Sequence, residues 1–153
     1  MKKLLFGIIL SVAILFVSCG KGDDIKPEVE NNTNVQVSSG YSLQFGELLE
    51  NKITEFGDKK ILIVKAKIEP SFSNKTTISQ NGYNIEDLII KQGADQFDEI
   101  QYWAVADMES GNEDKVISFT VNKEMIEKIK NKEIVGNQIV DKAIDVWILP
   151  SLL

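Results

Sequence analysis

The sequence predicts an α+β domain: a single twisted, mainly antiparallel sheet with two short helices packed on one face, preceded by a signal peptide and a flexible tether. Three observations carry that expectation. Lys60–Ile68 alternates with a period of two, setting Leu62, Val64, Ala66 and Ile68 against Lys65 and Lys67. Two further strand-like runs, Ile100–Asp107 and Val116–Val121, are joined by a polar stretch over Met108–Lys115. Helical spacing with plausible caps marks Asn84–Gln92 and the segment that follows Asn122.

From the N-terminus, Met1-Lys2-Lys3 places positive charge ahead of Leu4–Val17, a run broken only by Gly7, Ser11 and Ala13. That run is fourteen residues long, short of the roughly 20 that a membrane-spanning helix needs. Cleavage after an h-region is therefore expected, with the signal peptide over 1–18. Gly20–Gly40 is rich in Gly, Asp, Asn and Ser and has no helical period, so residues 19–40 read as a tether. The domain is expected over 41–153.

Within it, Leu43–Phe56 has no clean period, but Gly57-Asp58 reads as a hairpin turn, which favours a strand before it. Glu69–Gly82 reads as a long polar loop headed by Pro70. Asn84 is the expected N-cap of the first helix and Gly93 its stop. Asn122 is the expected N-cap of the second, with Met125, Ile126 and Ile129 facing inward to about Asn131. Gly136-Asn137 reads as a break, and Ala143–Leu149 as a closing strand. The expected order is β-β-α-β-β-α-β.

Composition excludes several chemistries. The chain has no histidine, one cysteine, and a net charge of −6; its 17 basic residues are all lysine. Histidine-based triads, Cys-His pairs, histidine zinc sites and bidentate guanidinium clamps are absent. An acidic chain without a basic patch argues against nucleic acid as a partner. No enzyme activity and no cofactor are expected.

Phe16-Val17-Ser18-Cys19 resembles the lipobox of bacterial lipoproteins, with Phe16 where that family usually has leucine. The resemblance implies cleavage between Ser18 and Cys19 and a diacylglyceryl group on Cys19. It implies a protein anchored on the extracytoplasmic face of the cell membrane. A lone cysteine in a secreted chain has no partner for an intrachain disulfide, which agrees with attachment. Glu69-Pro70-Ser71-Phe72-Ser73-Asn74-Lys75 and Gln101-Tyr102-Trp103-Ala104-Val105-Ala106-Asp107-Met108 are similar to stretches of uncharacterised secreted proteins of low-GC Gram-positive bacteria, and no activity follows from that likeness.

Two acidic groups merit a chemical reading. Asp107, Glu109, Glu113 and Asp114 crowd one loop, but their spacing departs from a calcium loop, and a solvated hairpin tip accounts for them. Asp95, Asp98 and Glu99 precede a strand and are weighed as a carboxylate pair for a hydrolase of cell-wall glycans. The expected binding surface is aromatic: Phe72 and Tyr83 around the 69–82 loop, Tyr102 and Trp103 on a strand, with Trp147 a further aromatic on the last. The expected role is a non-enzymatic binding or interaction module at the cell surface, with a protein or glycan partner. An accessory subunit of a surface transport or conjugation complex is the other alternative.

Overall fold

The computed structural model describes residues 36–37 and 40–153. The expectations for the signal peptide, Ser18, Cys19 and most of the tether lie outside the described residues. The rest forms one mixed sheet with three helices, an α+β arrangement. Five strands make up the sheet: β2 (Glu47–Phe56), β3 (Lys59–Lys67), β4 (Glu99–Asp107), β5 (Glu113–Asn122) and β6 (Ile144–Ile148). A two-residue strand, β1 (Gln36–Val37), adds to the β2 edge, so the sheet takes in part of the stretch read as tether. The strands lie in chain order across the sheet.

Neighbouring strands are antiparallel except β3 and β4, which run parallel. Parallel neighbours need a crossover, and helix α1 (Asn74–Lys91) supplies it. Gly57-Asp58 forms the expected two-residue turn between Phe56 and Lys59. Gly57 has φ of 60°, at the first central position, where a II′ turn wants glycine.

The expectation of two short helices is corrected. Helix α1 has 18 residues and begins ten before the expected Asn84 cap. Its N-cap is Ser73, whose Oγ accepts from the Thr76 N–H at 3.2 Å. Most of the stretch expected as a loop, 69–82, is thus its first half. That half is polar and carries no apolar stripe, so its helicity comes from packing: Thr77, Asn81 and Gly82 are buried. Helix α2 (Lys123–Lys130) starts at the expected cap, with Asn122 Oδ1 accepting from Met125 N–H at 3.0 Å.

Helix α3 (Gly136–Lys142) occupies the segment read as a break. Gly136 serves close approach: a Cβ there would run into the Tyr83 ring, and one on Gly82 into the Gly136 carbonyl oxygen. Two glycines let α1 and α3 touch along their backbones.

The core is one cluster. The sheet contributes alternate residues, among them Leu62, Val64, Ile100, Tyr102, Ile117 and Phe119, and the helices contribute Ile85, Leu88, Ile126, Ile129 and Ile139. Tyr102 and Phe119 stack with ring centres 5.1 Å apart. Asn84 on α1 donates to Tyr102 Oη at 3.1 Å, which places α1 over this face. The opposite face carries the other half of each strand.

Candidate functional site

Strand alternation on β4 separates two adjacent aromatics. Tyr102 is fully buried, whereas Trp103 is 47% exposed on the opposite face. The expectation of Tyr102 in a binding surface is therefore corrected: its ring is core, and burial drives its phenol far above the ordinary value, only partly offset by the Asn84 hydrogen bond.

Register brings Trp103 a partner. Trp103 lies opposite Ser118 on β5, and Ser118 opposite Trp147 on β6. Both tryptophans of the chain thus stand in one row across three strands, separated by a small residue. Trp147 is 39% exposed, while Ser118 and Thr120 form a nearly buried floor. Two irregularities set this register: the break in pairing between Ala104 and Val105, and another between Ser118 and Thr120. Asp145, opposite the second, takes a left-handed φ of 53°. Bulges of this kind re-aim side chains, and the second falls at the edge strand β6.

Charges rim the row, and most are paired. On one side Lys65 meets Glu113 at 3.3 Å and Lys67 meets Asp107 at 2.9 Å. The Asp107 carboxylate holds the Lys67 ammonium above its ordinary pKa. Lys52 pairs with Glu50 on β2. Lys115 lies 4.6 Å from the centre of the Trp147 ring, a cation–π contact. Thus Asp107 and Glu113 from the expected acidic loop are ion-pair partners of strand lysines. No group of three metal-ligating side chains occurs among the described residues.

A depression of about 660 Å³ opens where β3 and β4 end and includes Gln44, Glu47, Lys67, Glu69, Gln80 and Asp107. Lys67 and Asp107 belong to both this depression and the sheet face. The other acidic group has separate engagements. Asp95 pairs with Lys130 at 2.7 Å, which holds its carboxyl below the usual range. Asp98 accepts from the Lys60 N–H at 2.9 Å, and Glu99 from Gln101 Nε2 at 2.7 Å.

The remaining expected aromatics are not gathered with Trp103. Phe72 is 91% exposed in the segment before α1. Tyr83 is half-buried on α1 against Gly136, with its ring 6.3 Å from that of Phe45. It belongs to the helix layer, away from the tryptophan row. The feature that sequence reading missed is the pairing of Trp103 with Trp147. Each is visible as a strand aromatic, but only inter-strand register sets them side by side.

No helix among the described residues is long and apolar enough to cross a membrane. No family model, curated protein or solved structure matches this chain.

Proposed function

We propose that this protein is a lipoprotein, anchored through Cys19 on the extracytoplasmic face of the cell membrane, whose domain is a non-enzymatic binding module. The lysine-headed apolar run and the Phe16-Val17-Ser18-Cys19 resemblance support the anchor. The observation that carries binding is the sheet face that bears no helix among the described residues, with Trp103 and Trp147 half-exposed in one row. Large aromatics placed together outside the core are a recurrent feature of recognition surfaces. The lack of histidine and arginine favours recognition over catalysis.

Two measurements test the two halves. Metabolic labelling with a palmitate analogue should mark the wild type and leave Cys19→Ser unlabelled; equal label on both removes the anchor. A photo-crosslinking residue at position 103 of the full-length lipoprotein, activated in cells, should give adducts that the same residue at exposed Phe56 does not. Identical adduct patterns at both positions would remove the binding face.

A further inference from the structure

We propose that the Trp103–Ser118–Trp147 row binds an uncharged, β-linked oligosaccharide lying across the strands, an assignment that rests on the binding-module reading above. Spacing is the first argument. Strands lie about 4.8 Å apart, so residues two strands apart in one row are separated by about 10 Å. A near-extended β-1,4-linked hexose chain presents alternate pyranose rings at a comparable interval. The spacing therefore allows one pyranose ring against each indole, at Trp147 on the ring face that Lys115 does not cover, with the apolar C–H face of each sugar against a tryptophan.

The floor is the second argument. Between the indoles lie Ser118 and Thr120, 8% and 9% exposed. Each brings a hydroxyl to this face of the sheet. A purely apolar protein knob placed here would offer those hydroxyls no hydrogen-bond partner, whereas a sugar hydroxyl does. Aromatic walls with a few convergent hydroxyls are the usual make-up of a site for a small polar ligand.

Charge is the third argument. The chain as a whole is acidic, at −6. On this face, however, Lys52 is neutralised by Glu50, Lys65 by Glu113 and Lys67 by Asp107 and Glu113. Lys115 is engaged by the Trp147 ring, which it holds in place. A polyanion would meet carboxylates, and a polycation would have to displace lysines already paired. A neutral chain disturbs none of these pairs.

The test exploits composition. The chain has two tryptophans, both in the row, so tryptophan emission reports on this face alone. Titration of the intact protein with the hexamer of N-acetylglucosamine should shift that emission saturably. Binding followed by calorimetry should weaken at least tenfold in Trp103→Ala and in Trp147→Ala. The disaccharide, able to cover one indole, should bind at least tenfold more weakly than the hexamer. Circular dichroism checks the fold of each variant, and Trp103→Phe, which keeps a ring, should retain part of the affinity.

Two results overturn the assignment: no saturable binding of hexamers of N-acetylglucosamine or glucose, or binding that both alanine variants retain. If the sugars fail while crosslinking from position 103 yields a specific protein adduct, the ligand is a protein and the binding-module reading stands. If both fail, that reading falls as well.

Discussion

The side-chain amide of Asn84 pairs with the peptide of Phe45 as one strand pairs with another. Its Oδ1 accepts from the Phe45 N–H at 2.9 Å, and its Nδ2 donates to the Phe45 carbonyl at 2.8 Å. The same Nδ2 donates to Tyr102 Oη. One buried side chain therefore ties the segment ahead of β2 to α1 and to the centre of β4. Asn84→Ala leaves a peptide group and a phenol without their partner. A loss of about 2–3 kcal/mol is expected, measured by chemical denaturation. A loss below about 0.5 kcal/mol would show that water replaces the amide without penalty.

Gly82 reverses an ordinary rule. Glycine inside a helix is about 1 kcal/mol worse than alanine by propensity, so Gly82→Ala would stabilise a free helix. Here the added Cβ meets the backbone of Gly136 on α3. The variant is expected to be less stable by about 1–3 kcal/mol, since backbone cannot move aside as a flexible side chain can. A raised melting temperature would refute the close packing of α1 on α3.

Tyr102 links stability to alkaline pH. Burial raises its folded-state pKa above the unfolded value, so the neutral phenol is favoured in the native protein. Its contribution is complete below the unfolded pKa of about 10 and is lost as pH rises above that value toward the folded one. Wild-type stability should fall above about pH 10, and Tyr102→Phe should fall less steeply in that window. At pH 7 the variant should be about 1 kcal/mol weaker, having lost the Asn84 bond. Parallel pH profiles for the two proteins would contradict the burial of an ionisable phenol.

Lys132 sits just past α2 with a left-handed φ of 62°. The Glu133 N–H bonds to the Lys128 carbonyl and the Lys132 N–H to that of Ile129, each at 2.9 Å, the Schellman pattern. Glycine adopts this backbone without Cβ strain, so Lys132→Gly is expected to stabilise the domain by about 0.5–1 kcal/mol. Thermal melts of the two proteins decide the sign.

The N-cap of α1 gives a local test of the corrected helix boundary. Ser73→Ala removes the acceptor for the Thr76 N–H and should cost about 1 kcal/mol. Hydrogen exchange should speed up over the first turn of α1, residues 74–77. Unchanged exchange there would place the functional start of the helix further along the chain.

What the sequence determined by itself was local. Period-two alternation marked β3 and the core side of β5, Gly57-Asp58 marked the hairpin, and Asn122 marked the start of α2. Each depends on residues within a few positions of one another, where backbone stereochemistry and side-chain capping act directly. The lipobox resemblance is local in the same sense, as is the exclusion of histidine chemistry by composition.

Tertiary structure decided the rest. The first half of α1 is polar, and it is helical because Thr77, Asn81 and Gly82 have a sheet and a second helix to pack against. Gly136-Asn137 reads as a break until Tyr83 covers it. The parallel pairing of β3 with β4 follows from the crossover that this longer helix makes. The row of Trp103, Ser118 and Trp147 exists only because strands far apart in the chain pair in a register set by irregularities at Ala104 and around Asp145. A shift of one residue in either pairing would turn one indole toward the core, and no local pattern encodes that choice.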